Sequence, residues 1–244
     1  MCTSVLVGIT FTLLCQSCKL RNERSLHTGT PEANLELVWD RIVRIYYKEN
    51  PCSDKYQNIT LSMICDPQNH RKTFPRLKGK AAEVKHLIPA LLWAWRHAMT
   101  TTNDQHRQVE LALQCSAFLD NVLDEHKDSD ILPPTDAEKF KQAGFALNAA
   151  MNSLSTYYSR LGVDSLYLFN IVPKNHHLCH ICLSASYLNP RSGLCYMGED
   201  MMHQMRRLSA GCVRGNNTRN AEKKLVVWYS HGLSRLLGDN FGNL

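Results

Sequence analysis

Apolar residues recur at intervals of three and four along most of this chain. The clearest case comprises Phe140, Gly144, Leu147, Met151, Leu154, Tyr158 and Leu161. Such positions share one face of a helix, because successive helical residues are turned by about 100°. Residues 31–49, 77–99 and 104–123 repeat the pattern. It predicts an all-α fold, an irregular multi-helix bundle of about six to eight helices.

Capping residues and prolines mark where the predicted helices begin. Thr30-Pro31 supplies a helix cap followed by proline at the first helical position. Asn103 or Asp104 is placed to cap a later helix, and Thr135 to Glu138 has the spacing of a capping box after the break at Pro133-Pro134. These signals predict separate helices joined by short loops.

Weaker patterns complete the predicted organisation of the chain. They indicate a short helix from Tyr56 to Ile64, a β-capable stretch from Ser165 to Val172, a helix from Asn175 to Tyr187, a turn at Asn189 to Gly193, and helices from Glu199 to Cys212 and from Ala221 to Leu237. Residues 1–29 combine an apolar run with a polar linker, and residues 30–244 are predicted to form a single helical domain.

The N-terminal run from Val5 to Leu14 is apolar and as long as the core of a signal peptide. No Lys or Arg precedes it, so an apolar first helix and a nuclear or cytoplasmic location are favoured. The run is too short for an integral membrane span. The alternative is a secreted, disulfide-containing glycoprotein, which ten cysteines and the N-x-T sequons at Asn58 and Asn216 would suit.

Charge adds a nucleic-acid hypothesis. The formal net charge is +6, and basic residues fall into two loose groups that could contact phosphates. The candidate nucleic-acid-binding residues are Lys78, Lys80, Arg206, Arg207 and Arg214. Solvated helix faces are the alternative interpretation of these groups, and aromatic residues of the kind that stack on bases are not interleaved with them.

One stretch concentrates side chains that bind metals. Its candidate ligands are His176, Cys179, His180, Cys182, Cys195 and His203. These could complete a tetrahedral zinc site and a small zinc-stabilised helical domain. Because Cys179 and Cys182 lie in a predicted helix, buried core cysteines are favoured instead, with the stretch in the interior of the bundle. No cofactor is otherwise expected.

The order of several short motifs resembles a known family. The motifs are Leu77 to Glu83, His86 to Leu91, His177 to His180, Asn189 to Arg191, Cys195 to Asp200, and Arg206 to Asn216. Together, over residues 77–216, they resemble the helical region in the C-terminal half of transposases of the CACTA (En/Spm) type. Glycine-rich phosphate loops, G-x-S-x-G and H-E-x-x-H are absent from the sequence.

The resemblance implies a transposon origin and a DNA-related role. It places Glu199 as the last acid of a DDE site that uses magnesium, and Arg206 and Arg207 as basic residues after it. The aspartates of the family's RNase H-like part have no counterpart in the sequence, and one carboxylate cannot hold paired metals. The resemblance therefore implies a non-autonomous helical module that binds DNA or protein, such as another transposase subunit, and a DDE-type fragment if it is active at all.

Overall fold

The helices predicted from the apolar pattern are present in the computed structural model, which describes residues 8, 10, 30–52, 54–64, 74–99, 102–160, 168–169, 171, 173–193, 223 and 227. Over these residues the chain forms helices, turns and loops without any strand, which confirms the all-α bundle. The chain divides into two compact units, Met1–Ser192 and Gly193–Leu244. All elements named below begin in the first unit.

The elements follow in simple order. They are α1 (Pro31–Arg41), a π-helical segment (Ile42–Tyr46), α2 (Tyr47–Glu49), α3 (Leu61–Ile64), α4 (Ala81–Ala98), α5 (Asp104–Glu125), α6 (Pro134–Ser159), α7 (Pro173–Ser184) and a 3-10 helix (Pro190–Gly193). Helix α5 packs on α4 and on α6, and α6 packs on α7. No described helix is long and apolar enough to cross a membrane.

Two of the predicted caps are confirmed. The hydroxyl of Thr30 accepts a hydrogen bond from the Ala33 amide, and Pro31 opens α1. The Asn103 side chain accepts from the amides of Gln105 and His106 and so caps α5. Each cap satisfies amides that have no partner inside the helix.

The predicted capping box at Thr135 to Glu138 is wrong. Helix α6 begins at Pro134, and its cap residue Pro133 has extended backbone angles and no capping side chain. Proline has no backbone N–H group and therefore needs no hydrogen-bond acceptor at the first helical position. The helix can thus begin at Pro134, before the predicted capping box. Asp136 instead lies 3.0 Å from His126, and Glu138 pairs with Lys141.

The core follows the predicted face of α6. Phe140, Leu147, Met151, Leu154 and Tyr158 are all buried, as the four- and three-residue spacing predicts. Gly144 lies on the same face, where a Cβ atom would overlap the Sγ atom of Cys182. The absence of a side chain at Gly144 therefore lets α7 approach α6 closely.

Some predicted elements differ from the structure or fall outside the described residues. Helix α7 begins two residues before the predicted Asn175 and ends at Ser184. In the β-capable stretch, Phe169 has a φ of 57° and its ring stacks on Tyr158. The helices predicted for 199–212 and 221–237 lie outside the described residues, except that Lys223 and Val227 are helical.

The N-terminal run is described at two positions only. Gly8 and Thr10 are helical and buried. A Cβ atom on Gly8 would come within 2.8 Å of the Arg76 Cα atom and the Leu77 backbone nitrogen. This helical position therefore lies directly against the backbone of the segment that leads into α4.

Candidate functional site

The first of the two loose groups of basic residues comprises Lys78, Lys80, Lys85 and Arg96, which differ in their surroundings. Lys85 pairs with Asp124, and Arg96 pairs with Glu110. Lys78 and Lys80 are exposed and form no ion pair with any described acid. Pairing neutralises the two paired residues, so Lys78 and Lys80 are the members of this group whose charge is available to a polyanion.

The segment before α4 arranges a third cation beside these two. Exposed and buried residues alternate along its first part, where Arg76 and Lys78 are exposed and Pro75 and Leu77 are buried; Gly79, at which the chain bends, and Lys80 are both exposed. In an extended chain, alternate side chains point to the same side and are about 6.6 Å apart. We call Arg76, Lys78 and Lys80 the basic stripe.

Backbone hydrogen bonds hold this segment in place. The amides of Arg76 and Lys78 donate to the carbonyls of Ile64 and Met63 at 2.8 and 2.9 Å. The hydroxyl of Tyr56 donates to the Lys78 carbonyl at 3.4 Å. The basic stripe is thus carried on a fixed backbone, which lowers the entropy cost of binding a ligand along it.

Both ends of the basic stripe are fixed by nearby contacts. The Tyr56 ring occupies the space where a side chain on Gly79 would lie. The Lys80 amide donates to the Glu83 carboxylate at 2.9 Å, so this acid is used in starting α4. The Lys78 ammonium donates to the Ser62 carbonyl at 3.2 Å.

Arg76 is not among the candidate residues predicted from the sequence, because the helical spacing of apolar residues begins at Leu77. The signal that could have found it is the alternation of apolar and basic residues over 74–80, which is typical of an extended segment. Phe74, 39% exposed, lies two residues before Arg76 and shares that alternation.

Two of the histidines predicted as metal ligands, His176 and His180, lie on the surface of α7, as does the neighbouring His177. His176, His177 and His180 are all exposed. The Nε2 atoms of His176 and His180 are 2.8 Å apart, because residues four apart share a helix face. The prediction that the whole stretch lies in the interior of the bundle is therefore wrong for the histidines: this helix has one buried face and one exposed face.

The cysteines of α7 lie toward its packed face. Cys182 is buried against Gly144, and burial raises the pKa of its thiol to about 12. Cys179 is partly buried, and its Sγ atom accepts from the Asn148 amide at 3.0 Å. A thiol kept protonated is a poor metal ligand and nucleophile, so Cys182 acts in packing.

The described cysteines and acids do not assemble a metal centre. Cys52, Cys115, Cys179 and Cys182 are free thiols. Among the described residues, no three His, Cys, Asp or Glu side chains are grouped to hold an ion. Cys195, His203, Glu199, Arg206, Arg207 and Arg214 lie outside the described residues, so their predicted roles stay predictions.

A polar clamp joins the turn after α7 to the end of α5. The Asn189 side chain donates to the carbonyls of His126 and Ser129 at 2.8 and 2.7 Å, and its oxygen accepts from the Arg191 amide. The Arg191 guanidinium donates to the Leu123 carbonyl at 3.2 Å. These bonds reach carbonyls at and beyond a helix end, of which that of His126 also accepts from the Ser129 amide.

Charged residues extend this clamp. Burial opposes ionisation of Asp124, but hydrogen bonds from Lys85 and Arg191 outweigh it and lower the pKa of this carboxyl. One turn earlier, burial raises the pKa of Asp120 to about 6, against the opposing charge of Lys85. Two acids on one helix face are therefore pushed in opposite directions by their surroundings.

Replacing Asp120 with asparagine should make stability less dependent on pH. The carboxyl has a pKa of 3.8 when unperturbed and about 6 in the folded protein, so the folded state holds its proton more tightly, and the wild type loses stability as pH rises from about 4 to 6. We expect D120N to be more stable by about 1–2 kcal/mol at pH 7.5, with the gain vanishing near pH 4. Urea unfolding at both pH values measures this, and an equal gain at both would contradict it.

Comparison with protein-family models, with curated proteins and with solved structures finds no match to this chain. What the site can do therefore follows from its own residues.

Proposed function

We propose that this chain is a transposon-derived, non-autonomous helical module that binds DNA without catalysis of its own. The single observation that carries the DNA role is the basic stripe of Arg76, Lys78 and Lys80, exposed on a hydrogen-bonded backbone. The order of motifs over residues 77–216 supports the transposon origin. The absence of sequence motifs for phosphate loops and hydrolase nucleophiles supports a binding role.

The charge arrangement supports a phosphate backbone as the ligand. Duplex DNA carries one charge per about 1.7 Å of its axis, and binding releases counterions for each phosphate that is neutralised. Arg76, Lys78 and Lys80, three neighbouring cations without acidic partners in the described chain, gain this release in full. Cations already paired with acids, such as Arg44 with Asp40 and Lys141 with Glu138, must first give up their partners.

The test is the salt dependence of DNA binding. We expect the full chain to bind duplex DNA with an affinity that falls steeply between about 50 and 200 mM salt. Replacing all three residues of the basic stripe (R76Q/K78Q/K80Q) should weaken binding by more than about 10²-fold at the lower salt and reduce the log–log slope by about 3, one for each lost phosphate contact. Fluorescence anisotropy with a labelled duplex measures both quantities.

A matched control removes the same charge elsewhere. Arg44 and Arg107 are exposed and Lys141 is partly exposed, and each is paired with an acid three or four residues earlier in the chain. The variant R44Q/R107Q/K141Q therefore lowers the net charge by the same amount as R76Q/K78Q/K80Q, but it should keep most of the slope of log affinity against log salt concentration. If both triple variants weaken binding alike, net charge and not the basic stripe binds DNA. If the wild type does not bind at low salt, the DNA role is wrong.

A further inference from the structure

The exposed face of α7 carries two imidazoles in contact. His176 and His180 are one helical turn apart, and their rings meet edge to face with centroids 4.4 Å apart. Their Nε2 atoms are 2.8 Å apart. At least one of these nitrogens carries a lone pair directed at the other, because a hydrogen bond needs one donor and one acceptor. A lone pair on imidazole nitrogen is what a transition metal binds.

We propose that His176 and His180 form a two-nitrogen chelating site for a divalent transition-metal ion of tetragonal geometry, of the Ni(II) and Cu(II) class. Imidazole nitrogens bind first-row metals at about 2.0–2.1 Å. Two such bonds to nitrogens 2.8 Å apart enclose an angle of about 85–90°, which is the angle between neighbouring positions of a square-planar or tetragonal ion.

The same geometry disfavours a tetrahedral ion. Ligands at the tetrahedral angle, with bonds of about 2.05 Å, are about 3.3 Å apart, so zinc would require the two rings to separate. The described residues add no third His, Cys, Asp or Glu ligand, and the pair faces solvent. With ligands from the described residues alone, water would fill the remaining positions, an arrangement that tetragonal Ni(II) accepts and a structural zinc site does not.

Titration of the full chain with Ni(II), chosen because it does not oxidise thiols as Cu(II) does, tests the proposal. Tethering two donors makes the second bond intramolecular and raises affinity by about 10²-fold or more. We therefore expect H176Q and H180Q each to weaken Ni(II) binding at least about tenfold, and the free-energy loss in the double variant to be smaller than the sum of the two single losses. Calorimetry and the metal's absorption band report binding.

His177 provides the matched control. It is exposed on the same helix, next to His176 in sequence, and its ring is not in the pair. H177Q removes the same chemical group and should leave Ni(II) affinity unchanged within twofold. Because all three positions are exposed, the variants should keep the stability of the wild type within about 0.5 kcal/mol, which urea unfolding verifies.

Three outcomes would overturn the proposal. Equal losses in H177Q and H176Q would show that Ni(II) binds histidines without a chelate. Unchanged affinity in H176Q or H180Q would place the ion elsewhere. Tighter binding of Zn(II) than Ni(II), lost on replacing Cys179 or Cys182 with serine, would assign the metal to a thiolate site and not to the histidine pair.

Discussion

Replacing Asn189 with alanine is expected to destabilise the folded chain by about 3 kcal/mol, since three hydrogen bonds are lost and each is worth about 1 kcal/mol. The two donated bonds end at the carbonyls of His126 and Ser129, and the third accepts the Arg191 amide. Asn189 is 1% exposed, so water cannot replace the lost partners without further rearrangement. Urea unfolding followed by circular dichroism measures the change.

Two variants of the same turn show whether the effect comes from the clamp. Ser192 donates to the Asn189 carbonyl within the turn and makes no bond to α5, so S192A should cost less than about 1 kcal/mol. N189D keeps the acceptor oxygen but places a carboxylate against two carbonyls, so it should be at least as destabilising as N189A. A cost for N189A no larger than that of S192A would show that the clamp adds little.

The clamp also shows what the sequence could not predict. Asn189 to Gly193 was predicted as a turn, and the structure confirms a turn there, because Asn, Pro and Gly constrain the backbone locally. The partners of Asn189 lie about 60 residues away. Periodicity along the sequence cannot predict such a pairing, because tertiary packing determines which helix ends lie close together.

The buried face of α6, in contrast, could be predicted, because it depends on local helical spacing. Its apolar residues follow helical spacing over several turns, and every described member is buried. The start of α4 was missed because Leu77 fits the helical spacing, whereas the backbone of Arg76 and Lys78 is bonded to α3. Tertiary contacts outweighed local preference there, and they exposed the basic stripe in the process.

The histidines of α7 illustrate the limit for sites. Spacing predicted that His176 and His180 share a face, and their contact confirms it. Spacing alone could not predict that this face is exposed, because the histidines lie on one side and the cysteines on the other side of a helix that has little apolar asymmetry. The packing of Gly144 against Cys182 decides which side of α7 is buried.

The packing of Gly144 against Cys182 predicts the second large effect, a loss of stability when Gly144 is replaced with alanine. In an exposed helix this change would stabilise by about 1 kcal/mol, because glycine is a poor helix former. Here the added Cβ atom would overlap the Cys182 Sγ atom and lie 3.3 Å from its Cβ atom. Overpacking of this kind costs about 1–3 kcal/mol or more, so we expect G144A to be destabilised by about 2–3 kcal/mol despite its better helix propensity.

Removing the sulfur atom should restore the space. C182A alone deletes one buried atom and should cost about 1 kcal/mol. The double variant G144A/C182A should then be more stable than G144A, with a coupling energy of about 2 kcal/mol in a double-mutant cycle measured by urea unfolding. Additive effects in that cycle, or a G144A variant more stable than the wild type, would show that α7 does not pack on Gly144 as the structure has it. Without that packing, the exposure of the His176 and His180 face would lose its physical basis.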